Sequence, residues 1–288
     1  MSLLGSVLNF NEQGIYMIHQ LKIEEYKTLR SLYQNLRFNL VVDSIIDGTT
    51  PAWVFVDQKP KLRSGLMWNK QDALLLAGYA GNEDFNLSLG EILIQKIITD
   101  ARKRYIPEMS FYCDTNTWES RLGTLLKGRS VHKASRRFYQ YDRLKFDWRR
   151  QIPLGYEIKL IDESLLESNE FDNGDQVIGW VRSFWHSNQD FVKKGIGYCL
   201  IKEKVIASWC LSVYVSETNC EFGVATVPEH RRQGLATLAA SACVEYCEEN
   251  ELTPHWHCWN DNKGSIAVAE RIGFERPKMY YAYKFEVR

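Results

Sequence analysis

The chemistry in this chain concentrates in Val224-Ala225-Thr226-Val227-Pro228-Glu229-His230-Arg231-Arg232-Gln233-Gly234-Leu235-Ala236-Thr237. An apolar run stops at a proline, a short basic turn with one glycine follows, and a helical pattern begins at once. That order predicts a strand, a phosphate-sized loop and a helix N-terminus. A helix start presents unpaired backbone N–H groups and the positive end of its dipole, which suits an anion. Arg231 and Arg232 add positive charge beside those donors, and Gly234 removes the Cβ that would keep a phosphate from the backbone. The same order also describes an ordinary strand–turn–helix junction that binds nothing. The stretch lacks the Gly-Lys-Ser/Thr ending of a Walker loop and the three glycines of a dinucleotide fingerprint.

Arg231-x-x-Gly234-x-Ala236 resembles the Arg/Gln-x-x-Gly-x-Gly/Ala loop of the GNAT acetyltransferases, which cradles the pyrophosphate of acetyl-coenzyme A. Asn262-Lys263-Gly264-Ser265, followed by Gly273-Phe274, resembles the family helix that closes the cofactor cleft. The two motifs stand in the family's order and cover residues 153–288. The resemblance implies an α/β (α+β) architecture, the GNAT fold, with a central mixed, mostly antiparallel sheet flanked by helices. It implies acetyl-CoA as cosubstrate and no metal. Thr226 and Val227 would offer backbone groups to pantetheine, and Asn262 and Ser265 would sit along its arm. Arg231, Arg232, Gln233, Gly234, Leu235, Ala236 and Thr237 would supply N–H groups to the pyrophosphate.

An acceptor amine must lose its proton before it attacks, so a carboxylate or histidine within reach would act as general base. Glu221, on the strand leading to the loop, is the first candidate; a solvated acid at a strand start is the alternative. His257, on the next strand, is the second, against a purely structural histidine. Many GNAT proteins carry a tyrosine four residues after the motif serine as the acid for the leaving thiolate, and here that position is Ala269. Tyr280, Tyr281 and Tyr283 are the nearby substitutes, with core or cleft-wall roles as the alternative. Nothing marks Cys220 as an activated thiolate beside a fixed base, so an acyl-cysteine route is not favoured.

These residues need elements to position them. Residues 195–201 and 205–213 read as a hairpin through Lys202-Glu203-Lys204, followed by a strand over 220–227 and a helix over 235–248. A strand over 256–259 and a helix from Ser265 complete the set, and Trp180, Phe184, Trp185 and Phe191 fall in a helix and its following loop. The same β-loop-α order occurs earlier: a strand over 73–79, helix 87–104, strand 109–113 and helix 118–126. The first half therefore reads as a degenerate copy of the second. Glu83 and Asp84 stand where the second copy has arginines and would repel a pyrophosphate. A linker near 149–155 divides the chain into an N-terminal GNAT-like or substrate-lid domain, 1–150, and an acetyl-CoA-binding domain, 151–288. This layout resembles the two-domain GNAT subgroup that includes zwittermicin-A-resistance-type acetyltransferases.

Composition bounds the alternatives. At 288 residues, 45% apolar and 25% charged, the chain is of globular type, and 36 basic residues balance 36 acidic ones. Residues 1–9 do not read as a signal peptide and no run is long enough to span a bilayer. Seven cysteines without a Cys-x-x-Cys pair argue against a disulfide framework, and Cys243 and Cys247 read as buried thiols in a reducing cytoplasm. Residues 127–150 carry nine Lys/Arg against two Asp, interleaved with aromatics. They read as a long strand with one solvated face, the alternative being an RNA-binding strip. The resulting expectation is an acetyl-CoA-dependent N-acetyltransferase that acetylates a primary amine of a small molecule in a ternary complex. No membrane or nucleic-acid partner is expected, and oligomeric state stays open. A non-catalytic coenzyme-A sensor is the alternative, and tRNA modification through 127–150 a third.

Overall fold

A computed structural model describes residues 18–288, so residues 1–9, read above as lacking a signal peptide, lie outside the described part. The described strands are β1 (His19–Gln20), β2 (Trp53–Val56), β3 (Ser64–Trp68), β4 (Ala73–Gly78), β5 (Glu108–Cys113) and β6 (His132–Tyr141). They continue with β7 (Tyr156–Leu160), β8 (Gly197–Lys202), β9 (Val205–Val215), β10 (Asn219–Thr226), β11 (Thr253–Trp259) and β12 (Phe274–Glu286). Contacts divide the chain into two compact units. The first holds described residues through Gly48, Ala52–Lys133 and Ala282–Arg288; the second holds Thr49–Pro51 and Ala134–Tyr281.

In the first unit β1 to β4 form an antiparallel meander, β5 runs parallel to β4, and the end of β12 lies antiparallel to β5. A helix starting at Glu83, four residues earlier than the apolar pattern suggests, covers this sheet. It begins there because Asn82 accepts the Phe85 amide as an N-cap. Glu83 and Asp84 therefore sit in a helical first turn, where negative charge favours the dipole, and Glu83 pairs with Arg121 at 2.8 Å. A π-helical turn, Leu93–Ile97, interrupts the helix before Ile98–Lys103. The helix expected over 118–126 is two single turns, Asn116–Glu119 and Leu122–Leu125. Leu76, Phe111, Leu89, Leu93, Phe285 and Trp118 meet in the buried core.

The first unit's sheet stays closed where a cofactor gap would be needed. β4 and β5 pair from Ala73–Ser110 to Leu76–Cys113, and the Asp114 amide then donates to the Leu76 carbonyl at 3.0 Å. Asp114 Oδ2 accepts the Gly78 amide at 2.7 Å, and Trp118 Nε1 donates to the Gly78 carbonyl at 3.1 Å. The backbone beside β5 is thus saturated.

In the second unit β7, β8, β9 and β10 are antiparallel neighbours, β11 runs parallel to β10, and β6 pairs antiparallel with β11. Residues 134–150 pack in this unit because Arg136 to Tyr139 pair with Trp259 to Trp256. The strand ends at Tyr141, short of the length expected for 127–150. Helix Leu235–Glu249 is buried on most sides, including Leu238, Ala239, Ala242 and Cys243. Its acidic C-terminal end, unfavourable to the dipole, has a counterpart: Glu248 accepts from Tyr141 Oη at 2.6 Å and the Leu144 amide at 2.9 Å, and Glu245 pairs with Arg149. Helix Gly174–Phe184 covers the other side of the unit, and Phe191 falls in a separate helix, Asn188–Lys194.

Trp118 is wholly buried. Trp118→Ala leaves a large cavity and an unmatched Gly78 carbonyl, and should destabilise the protein by about 3–5 kcal/mol. Denaturant titration with a probe in the first unit reads this loss directly.

Candidate functional site

The site begins where two strands part. β10 and β11 are registered only from Asn219–Thr253 to Glu221–His255 among the described residues. Beyond Glu221, β10 continues to Thr226 paired with β9 alone, after a register shift that passes over Val213. Such a bulge raises the local twist and turns a strand away from its neighbour. A cleft of about 710 Å³ opens along Phe222 to Thr226, with Trp256 and His257 of β11 on its far wall.

The loop at the end of β10 joins two arginines to two left-handed backbone positions. A 3-10 turn, Pro228–His230, carries the chain to Arg232 at φ 62° and Gly234 at φ 79°, both left-handed. Helix Leu235–Glu249 starts directly after Gly234, so the Leu235 and Ala236 amides have no intrahelical acceptor and sit at the cleft wall, while the Thr237 amide donates to the Gly234 carbonyl at 3.0 Å. A Cβ at Gly234 would meet no protein atom within 4 Å; the glycine is needed for its backbone angle and leaves that side open. Arg231 Nε donates to the Thr226 carbonyl at 3.1 Å, tying the arginine to the strand. Neither Arg231 nor Arg232 forms an ion pair among the described residues.

The predicted binding residues separate at this point. Thr226, Arg231, Arg232, Gly234, Leu235, Ala236, Thr237, Asn262 and Ser265 line the cleft. Val227 does not: it is buried, its amide donates to the Ala207 carbonyl and its carbonyl accepts the His230 amide, each at 3.0 Å. The Gln233 side chain is turned to β7, where its Oε1 accepts from Tyr156 Oη at 3.0 Å. Tyr156 Oη also lies 2.6 Å from His230 Nδ1, so an edge-strand tyrosine braces the loop. Sequence patterns gave no sign of that contact, because 74 residues separate the partners. Opposite the loop, Asn262 Oδ1 caps helix Lys263–Ile272 by accepting the Ser265 amide at 3.0 Å, and Trp256 Nε1 donates to Ser265 Oγ at 3.0 Å.

A family model described as GNAT acetyltransferase matches residues 30–283. The chain belongs to the GNAT acetyltransferase family. It is 26% identical over 267 residues to the uncharacterized N-acetyltransferase YdfB of Bacillus subtilis, covering 93% of this chain and 98% of that protein. Among solved structures, a GCN5-related N-acetyltransferase-like protein from Streptococcus suis aligns with TM-score 0.67 at 19% identity, covering 91% of this chain and 98% of that one. A tandem GNAT protein from the clavulanic acid biosynthesis pathway aligns with TM-score 0.55 at 14% identity, covering 94% and 98%. These likenesses show the GNAT fold. The chain is thus a GNAT-type acyltransferase, and enzymes of this family use acetyl-CoA as cosubstrate.

Within this GNAT unit the two base candidates form one constellation. Glu221 is 5% exposed at the last paired position of β10, so it is no solvated strand-end acid. Its Oε2 lies 3.9 Å from His257 Nε2, and it is His257, not Glu221, that borders the cleft. His257 Nδ1 is 2.8 Å from Tyr280 Oη, which accepts from Arg136 Nε at 2.9 Å, and Phe138 stacks on the imidazole at 4.7 Å. The tyrosines divide accordingly. Tyr280 belongs to the constellation and Tyr281 is exposed. Tyr283 is in the first unit, donating to Glu119 Oε2 at 2.7 Å, and is not among the residues lining this cleft. Ala269 is wholly buried and borders no part of the cleft.

The remaining thiols and charges are structural. Burial, then the contact with Cys247, pushes the Cys220 thiol well above its usual range, which leaves no thiolate nucleophile. Cys243 Sγ donates to the Cys210 carbonyl at 3.3 Å. The basic segment is held by partners: Arg137 by Asn260, Lys145 by Asp142 and Glu275, Arg149 by Glu245, and Arg150 by Asp147. Those carboxylates offset part of the positive charge of 127–150. No described helix is long and apolar enough to cross a membrane.

Asn262→Ala removes the cap from helix Lys263–Ile272 and should cost about 1 kcal/mol of stability. Thermal unfolding of the variant beside Asn262→Asp, which keeps an acceptor oxygen, measures the cap itself.

Proposed function

We propose that this protein transfers an acetyl group from acetyl-CoA to a primary amine of a small molecule, by direct attack in a ternary complex. The observation that carries the proposal is the open edge of β10, which runs from the loop at Arg231 to the last paired residue, Glu221. The residues fit the cofactor: the Leu235 and Ala236 amides and two arginines without ion pairs among the described residues at one end, and a strand edge not paired with β11 between. Arg231, Arg232, the 233–236 backbone and Thr237 would hold the pyrophosphate, with Thr226, Asn262 and Ser265 beside the pantetheine arm. When bound, the thioester supplies an activated acetyl group. Alternate amides of 222–226 donate to β9, and those between them face the cleft edge, where one would favour the negative charge developing on the acyl oxygen.

An aliphatic amine with a pKa near ~10.4 arrives protonated at neutral pH. Glu221 and His257 supply the base, His257 at the wall and the carboxylate behind it. Tyr280, hydrogen-bonded to His257, is the phenol assigned to returning a proton. The seven free thiols, six of them buried, agree with a reducing cytoplasm. The resemblance to zwittermicin-A-resistance-type proteins makes an amino-containing antibiotic one acceptor to include in a panel of amines.

Calorimetry should show binding of both coenzyme A and acetyl-CoA. Replacing Arg231 and Arg232 together by alanine should weaken binding by at least about tenfold, one charge-assisted contact being worth roughly 1.5–3 kcal/mol. Unchanged affinity would refute the cradle. Glu221→Gln should lower turnover by about 10²–10⁴ while coenzyme A affinity stays near that of the wild type. An unaltered rate with the same pH profile removes Glu221 from the base role.

A further inference from the structure

We infer that Trp180 is the wall that limits the length of the acyl group this enzyme carries; the inference rests on the cofactor reading above. Residues alternate faces along a strand, so Glu221, Gly223 and Ala225 share one face of β10 while Cys220 and Phe222 share the other. The Cys220–Phe222 face is core: both side chains are buried, and Cys220 touches Cys247 of helix Leu235–Glu249. The cleft therefore ends in depth on the Gly223 face.

Trp180, on helix Gly174–Phe184, stands on that face and borders the cleft. A Cβ built on Gly223 would lie 2.7 Å from Trp180 Cζ3 and 2.8 Å from Val213 Cγ1. The indole thus occupies the volume a side chain at 223 would have taken, and only glycine permits this. The ring is also held in place. Trp209 meets it edge to face at 5.8 Å and 90°, and Phe184 at 6.3 Å and 63°. Both Trp180 and Phe184 are half-buried, Trp209 is buried beneath them, and moving the indole aside would break both aromatic contacts.

An arm laid along β10 from the loop has its path closed where β10 and β11 rejoin at Glu221–His255. Its reactive end thus comes beside Phe222 and Gly223, against the fixed indole. A short acyl group fits before that wall, and each added methylene must displace it. Trp180 is then a specificity-determining residue, and Gly223 is the residue that lets it stand so close.

Binding without any amine tests this, because it needs no knowledge of the acceptor. Coenzyme A and its acetyl, propionyl, butyryl and octanoyl thioesters are titrated by calorimetry into wild type, Trp180→Ala and Trp180→Phe. The wild type should bind acetyl-CoA at least tenfold more tightly than butyryl-CoA. In Trp180→Ala the butyryl-to-acetyl affinity ratio should rise at least tenfold, with Trp180→Phe between. Equal wild-type affinity for the acetyl and octanoyl thioesters overturns the inference without any variant, and so does an unchanged ratio in either folded variant. Failure of the wild type to bind coenzyme A overturns the cofactor reading together with the wall. Binding of coenzyme A with indifference to chain length overturns the wall alone.

Discussion

The pairing of β10 with β11 stops at Glu221–His255, and the rest of the functional unit is organised around that interruption. Backbone N–H and C=O groups inside a sheet normally have partners, and leaving them unmade is costly when water is excluded. Gly223 to Thr226 are half-exposed in the middle of a sheet, so their free edge faces the cleft rather than a strand. The bulge against β9 makes the divergence possible without breaking the β9–β10 ladder. In the first unit the equivalent divergence is absent: Asp114 and Trp118 bond Gly78, and Asp114 also bonds Leu76, extending β4–β5 contact past the end of the ladder. The contrast between the units lies in backbone saturation more than in the acidic residues Glu83 and Asp84, which serve a helix start and an ion pair.

The side chains around the opening divide labour by face. Toward helix Leu235–Glu249 the sheet is packed with buried thiols and apolar groups, which keeps the loop and the helix N-terminus rigidly placed. Toward helix Gly174–Phe184 the same strands present Glu221, His255 and His257, together with Trp180 and Phe138. A carboxylate and an imidazole that look like rival candidates in the sequence become neighbours because β10 and β11 are in parallel register at that point. Arg136 and Tyr280 extend the constellation from β6 and β12.

Much of the binding half was legible because its signals are local. Pro228, Gly234, Asn262 and Gly273 punctuate strand, loop and helix within a few residues, and the elements fall close to the expected positions. Boundaries slipped where capping chemistry outweighed apolar periodicity, as at Asn82, and where a basic segment left its strand at Tyr141 to meet Glu248 and Glu245. Long-range partners were not legible. Tyr156 bracing Gln233 and His230, Trp180 over Gly223, and Glu270 accepting from Tyr139 join residues with no short-range pattern between them.

The sequence by itself determined the basic loop before a helix start, the capped helix that faces it and, at Ala269, the missing tyrosine, since each depends on residue type within one or two turns of chain. Tertiary structure decided which candidates share a site. Sheet register joined Glu221 to His257, packing assigned Tyr283 to the other unit, and backbone contacts withdrew Val227 from the cleft. The physical reason is that binding to a helix start is a property of local backbone geometry. Proton transfer and acyl fit are properties of distances across strands and helices, and those are set only when the sheet closes around the edge of β10 that parts from β11.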